Sequence, residues 1–249
     1  MSDLYPYALG FARYRQLLEA DYARLRSVAP GALERPVPEC DGWTGRDVVL
    51  HTAEVYLHKA ESIRRGVMPQ PWPPEGLRER DPLALIDEAH ARLVGELDAH
   101  EPADPAWTWW PQDQTVGFWV RRMAHETSVH RRDVESAVAE ATPVAEDLAV
   151  DGIDELLLLM LAGDWTGDEV PTASGSAVVL ESGGHVWQVT LHPDRVDVAR
   201  EQDGGAAATV SGEPGDVLLW LWGRGPRPLA DGDPAVVTEL RERLALATR

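Results

Sequence analysis

The sequence predicts a two-domain α+β protein. A helical half covers residues 1–142, and a smaller α/β half covers 143–249. Three observations carry that reading. Apolar residues recur at helical spacing up to about residue 140. Beyond the stretch ATPVA, at 141–145, short β-branched runs and glycine turns replace them. The chain has 249 residues, 44% of them hydrophobic, which is enough to build a core in each half.

The elements follow in order. Residues 8–28 place Leu17, Leu18, Tyr22 and Leu25 on one helical face, and Pro30-Gly31 should stop that helix. Thr44 with Asp47 three residues on makes a capping-box start for a second helix, which should end near Gly66. Val48, His51, Val55 and His58 share a face of it. The proline-rich VMPQPWPPEG cannot continue the helix. Asp81-Pro82 pairs an N-cap with a first-turn proline. It opens a third helix with the stripe Leu85, Ile86, Ala89, Leu93 and Leu97. A long loop leads to a fourth helix at about 117–140. Four helices with two long loops read as a bundle.

The second half opens with a helix at about 146–162. SAVVLES and HVWQVTL then flank Gly183-Gly184 as a hairpin. DRVDVAR and AAATVSG supply further strands. Pro214 starts a helix through DVLLWLWGR, and DPAVVTELRERLAL closes the chain. The sequence shows no internal repeat.

The formal net charge is −19, which argues against nucleic acid or an anionic membrane as partner. The only cysteine, Cys40, permits no intramolecular disulfide and fits a reducing cytoplasm. It is expected as a small buried hydrophobe. The N-terminus lacks the basic and apolar regions of a signal peptide. No apolar run approaches the ~20 residues that span a bilayer. Of the 23 lysines and arginines, only Lys59 is a lysine.

The chemistry concentrates in FWVRRMAHETSVHRRDVE, residues 118–135. Glu126 and His130 are four apart and face the same way on a helix, whereas His125 does not share that face. A zinc-protease motif would need histidine at 129, where Val129 stands. Trp119, Met123 and Ala137 look inward on the same helix. Arg121, Arg122, Arg131 and Arg132 are expected on the outer face. An inward carboxylate and imidazole need a shared cation or each other. A third ligand should come from the second helix, with His51 the leading candidate and His58 the runner-up. Asp133 is expected either to pair with a nearby arginine or to orient His130, the arginine being favoured. The tryptophans, among them Trp107, Trp109 and Trp110, are expected as core and loop anchors. His90, His100, His185 and His192 receive no role.

Three segments carry a resemblance: CDGWTGRDVVLHTAEV (40–55), GFWVRRMAHETSVHRRDVE (117–135) and SGEPGDVLLWLWGR (211–224). Together they are similar to the signatures of the mycothiol-dependent maleylpyruvate isomerase family, in the same order along the chain. The resemblance implies a DinB-like four-helix bundle followed by a smaller α/β C-terminal domain. It implies a zinc ion held by His51, Glu126 and His130, and mycothiol as thiol cosubstrate. It also places a catalytically important arginine at Arg224, expected to face the open side of the metal from the cleft between the domains.

Three mixed nitrogen and oxygen ligands would leave zinc, or another divalent metal, an open position. There a low-molecular-weight thiol could be deprotonated. The thiolate could add to an electrophilic, anionic small molecule, giving isomerisation when expelled and S-transfer when retained. Two alternatives stay open: a non-catalytic metal-binding module, and a hydrolase using zinc-bound water. The oligomeric state is not legible.

Overall fold

The computed structural model describes residues 4–166 and 174–248. It divides into two units, one of Leu9–Pro143 and one of Val144–Arg249 together with Met1–Ala8. Residues 4–8 thus belong with the later unit rather than with the bundle they precede.

The bundle comprises α1 (Phe11–Ala32), α2 (Gly45–Arg65), α3 (Pro82–Ala99) and α4 (Val116–Ser136). The longest packing seams run between α1 and α4 and between α2 and α3; α2 also meets α4. The expected stripe of α3 is fully buried, and Asp81 caps the helix by accepting from the Ala84 N–H at 2.8 Å. In α2 the buried stripe is Val49, Ala53, Tyr56, Ala60 and Ile63. Of the face shared by Val48, His51, Val55 and His58, Val48 and His58 are buried, and His51 and Val55 are half-buried.

The stop expected at Pro30-Gly31 does not occur; α1 runs through Pro30 to Ala32. The reason is tertiary. Ala29 and Ala32 are fully buried, and the carbonyls of Ala32 and Leu33 accept from the N–H groups of Arg35 and Arg46. Packing outweighs the lost hydrogen bond at Pro30. Gly45 is needed at this crossing, because a Cβ there would lie 2.4 Å from the Ala32 carbonyl oxygen.

The four helices form a structural repeat that the sequence does not reveal. Thr44 caps α2 and Thr115 caps α4. Each bridges to a proline, Pro36 and Pro105 respectively. Val37 N–H donates to the Trp43 carbonyl as Ala106 donates to Gln114. Gly45 donates to Arg35 as Val116 donates to Asp104, and Arg46 to Leu33 as Gly117 to Pro102. The pairs α1–α2 and α3–α4 are therefore related by a pseudo-two-fold, which also exchanges the α1–α4 seam with the α2–α3 seam.

The second unit contains α5 (Glu146–Glu155), a π-helical turn (Leu156–Leu161), α6 (Pro214–Leu221) and α7 (Pro234–Ala247). The single helix expected over 146–162 thus widens in its last third, where Leu156, Leu157, Leu159 and Leu161 are all buried. The strands are β1 (Gly163–Asp164), β2 (Ala177–Ser182), β3 (His185–Leu191), β4 (Arg195–Ala199), β5 (Ala208–Ser211) and β6 (Leu229–Gly232). Among the described residues they form one sheet in the order β1-β4-β3-β2-β5-β6. Only β2 and β5 pair in parallel. The expected hairpin turns on Gly183 and Gly184, whose φ angles of 59° and 77° suit a two-residue turn that most side chains would strain. The short β1 and β6 carry no alternating apolar pattern and escaped the sequence reading.

The N-terminal residues are tied to this unit by Asp154. That fully buried carboxylate accepts from Trp187 Nε1 at 3.0 Å and from Arg200 at 2.7 and 2.9 Å. Arg200 reaches the Leu4 carbonyl at 3.0 Å, and Tyr7 packs edge-on to Trp187.

Candidate metal centre

Two capped helices position the candidate ligands. Thr44 and Asp47 form the expected capping box, with the Thr44 N–H donating to Asp47 Oδ2 at 2.8 Å, so the start of α2 is fixed two turns before His51. Thr115 caps α4 by accepting from the Phe118 N–H. One ligand atom from each of His51, Glu126 and His130 comes together within 4.8 Å. Glu126 Oε1 lies 3.3 Å from His51 Nε2 and 3.1 Å from His130 Nε2. The two imidazoles meet edge to face with centroids 4.9 Å apart. His51 keeps 32% of its side chain exposed, against 13% for Glu126 and 11% for His130. The cluster therefore opens to solvent on the His51 side, beside Trp43, whose ring lies 5.4 Å away.

The surrounding charges hold this arrangement. Asp133 Oδ2 pairs with His130 Nδ1 at 3.0 Å, which turns Nε2 toward Glu126. Burial lowers the basicity of His130, but the Glu126 charge and the Asp133 hydrogen bond outweigh it and raise its pKa to about 9. Burial opposes ionisation of Glu126, yet His130, His51 and Arg122 together hold it well below the usual carboxylate range. Arg122 Nη2 donates to Glu126 Oε2 at 2.7 Å and leaves Oε1 to the imidazoles. Two imidazoles and a carboxylate with one open side match the donor set of a divalent metal site, and the orienting Asp133 matches its usual support.

Several expectations are corrected here. Arg121, Arg122 and Arg131 are buried rather than on an outer face, because α4 is covered along most of its length. Arg131 is neutralised by Asp21 at 3.0 Å and Glu135 at 2.8 Å. Arg132 is half-buried, and so is Ala137, which caps the helix end instead of facing the core. Asp133, for which an arginine partner was favoured, supports His130. Cys40 is half-buried, in the turn that precedes the α2 cap.

His125 is buried on another face of α4 against Tyr14. His58 lies outside the cluster between Trp72 and Trp107, and burial pushes its pKa down to about 4. Of the histidines given no role, His90 stacks on Tyr22 and His100 pairs with the Glu96 carbonyl. His185 packs on Tyr7, and His192 pairs with Asp197. Trp119 and Trp187 are core residues, whereas Trp43 and Trp109 expose an edge.

Sequence reasoning missed Arg122, although its spacing of four from Glu126 was there to be read, and Trp43, for which spacing offers no signal. Arg224 sits in the second unit just past α6, between Gly223 and Gly225, both at positive φ. Its Nη1 donates to the Trp222 carbonyl at 2.6 Å. Arg241 donates to the Leu221 carbonyl at 2.7 Å, so two guanidinium groups gather at the C-terminal end of that helix.

Residues 14–135 match the family model described as the mycothiol maleylpyruvate isomerase N-terminal domain, and residues 147–240 match the MDMPI C-terminal domain. The chain belongs to the mycothiol-dependent maleylpyruvate isomerase family. Among curated proteins, none matches it. A crystal structure of the mycothiol-dependent maleylpyruvate isomerase aligns over 90% of this chain and 95% of its own, with a TM-score of 0.62 and 15% identity. A histidine-to-alanine mutant of that enzyme aligns over 89% and 97%, with a TM-score of 0.60 and 14% identity. At that identity the likeness establishes the shared fold. No helix among the described residues is long and apolar enough to cross a membrane.

Proposed function

We propose that the protein is a metal-dependent enzyme that uses a low-molecular-weight thiol, mycothiol, on an electrophilic and anionic small molecule. Its reaction is cis–trans isomerisation or thiol addition. The observation that carries this reading is the convergence of His51, Glu126 and His130 on one point open to solvent at one side. A divalent cation there, zinc being the best fit to two imidazoles and a carboxylate, supplies the positive charge that makes a bound thiol acidic at neutral pH. Membership of a family named for a mycothiol-dependent isomerase supports the choice of thiol.

The chain's own residues have distinct tasks in this reading. His51, Glu126 and His130 hold the cation, and Asp133 keeps His130 turned toward it. Arg122 donates to the Glu126 carboxylate from the side away from the imidazoles and adds to what keeps it ionised. Arg224 binds an anionic group by its planar fork. The thiol sulfur adds to one carbon of an activated double bond, and the π pair moves to the adjoining carbonyl. Rotation about the resulting single bond and expulsion of the same sulfur restore the double bond in the other geometry. No oxidant or reductant is needed. If the adduct is protonated and released instead, the outcome is S-transfer.

Incubation of zinc-loaded protein with mycothiol and unsaturated oxo-acids, followed by chromatography and mass spectrometry, tests this. An isomer of unchanged mass or an adduct heavier by one mycothiol is expected, and neither without thiol. Turnover that ignores thiol and cleaves the substrate into two products, together heavier by one water, would replace this reading with a hydrolase.

A further inference from the structure

The repeat within the bundle carries a consequence beyond the metal centre. Seven and fifteen residues past its capping threonine, α2 carries His51 and Lys59; at the same offsets, α4 carries Arg122 and His130. The pseudo-two-fold thus exchanges His51 with Arg122 and His130 with Lys59. One end of the α2–α4 seam gathers donors that suit a cation, and its counterpart holds two cations. On α4, Trp119, Arg122, Glu126 and His130 follow each other at spacings of three and four. A single stripe therefore joins the two ends.

Lys59 is the only lysine of the chain. Its ammonium lies 4.7 Å from the centre of the Trp119 ring and 5.6 Å from that of Trp109, and 3.2 Å from His58 Nδ1. Trp119 is fully buried and forms the floor, while Trp109 keeps an edge in solvent and leaves the side open. Among the described residues no carboxylate lies within ion-pair distance of Lys59, in a protein with 42 acidic residues. Burial lowers its pKa to about 8, Glu126 opposing the shift and Arg122 adding to it. A half-buried ammonium on aromatic faces, with a guanidinium nearby and no carboxylate paired to it, has the chemistry of a carboxylate receptor.

We propose that Lys59, on its tryptophan platform, binds a carboxylate of the electrophilic substrate and makes the enzyme select acidic over neutral electrophiles. Along the seam, Lys59 lies eight residues, about 12 Å of helix rise, from His51. Long side chains at both ends can close on one small molecule whose acidic end is remote from its reacting carbon. This inference rests on the thiol-dependent reading of the metal centre for its substrate, but not for its binding site.

Reductive methylation with ¹³C-formaldehyde labels Lys59 as the only ε-amine, apart from the α-amino group. Carbon-13 spectra of the folded protein then report this one side chain. Titration with succinate should shift the Lys59 signal saturably, and succinamide, its neutral counterpart, should not. The same shift is expected after chelation of the metal, which separates this site from the metal centre. No shift with succinate, or an equal shift with succinamide, overturns the proposal. In kinetics, Lys59→Met should lower the preference for an acidic electrophile over its ester, read as the ratio of kcat/KM values, by about tenfold or more. Lys59→Arg should restore part of that preference. An unchanged ratio in Lys59→Met, with one metal still bound per chain, also overturns it. A protein that shows the succinate shift but no thiol-dependent turnover would sink the catalytic reading and leave the receptor standing.

Discussion

Replacing Asp133 by asparagine should weaken metal binding without unfolding the bundle. Asp133 is buried, and its Oδ2 is 3.0 Å from His130 Nδ1. Asparagine has nearly the same shape, so packing on α4 is kept. What is lost is the negative charge behind the imidazole, which both fixes the tautomer with Nε2 free and makes that nitrogen a better donor. Such supporting contacts are worth about 10–100-fold in metal affinity, or about 1.4–2.7 kcal/mol. The upper half of that range is expected here, because the pair is buried. Competition for zinc against a chromophoric chelator at neutral pH gives the ratio of dissociation constants, and circular dichroism checks the fold. A ratio below about two would refute the reasoning that Asp133 acts through His130.

Arg224→Lys should keep the fold and the bound metal but lose most of the turnover, because an ammonium cannot reproduce the fork of a guanidinium; full activity would contradict the role given to Arg224. Gly45→Ala should lower stability by about 1–3 kcal/mol in urea unfolding, since its Cβ would meet the Ala32 carbonyl oxygen at 2.4 Å; an unchanged midpoint would show that the α1–α2 crossing yields easily. After metal removal, stability should also depend on pH through His130. Its pKa rises from 6.5 to about 9 on folding, so the stabilisation is complete below 6.5 and is lost as pH climbs through 9. Thermal melts of chelated protein at pH 6 and pH 9.5 should differ more for the natural chain than for His130→Gln, and equal differences would contradict the assignment.

The sequence was informative wherever a local rule was decisive. The Thr44–Asp47 box, the α3 stripe and the spacing of Glu126 and His130 are all set by neighbours within one or two helical turns. Burial of α4 was not legible. Arg121, Arg122 and Arg131 read as a solvated face because the local rule puts charge outside, and the acids that make burial tolerable, Glu126 for Arg122 and Asp21 and Glu135 for Arg131, are set by the folded arrangement. The passage of α1 through Pro30 depends on contacts with α2, which no window of sequence contains. The internal repeat stayed hidden because it resides in backbone hydrogen bonds around Thr44 and Thr115. Side chains at equivalent positions differ, as His130 and Lys59 do. Spacing already favoured His51 over His58, and the family resemblance implied the same choice.

The central claim is that His51, Glu126 and His130 hold one divalent metal. Elemental analysis of protein loaded with zinc and then desalted tests it most directly, on the natural chain beside His51→Ala, Glu126→Gln, His130→Ala and His58→Ala. The account predicts one zinc per chain in the natural protein and in His58→Ala, and little in the other three. Undiminished tight zinc in His130→Ala, or loss of zinc in His58→Ala with retention in His51→Ala, would contradict it.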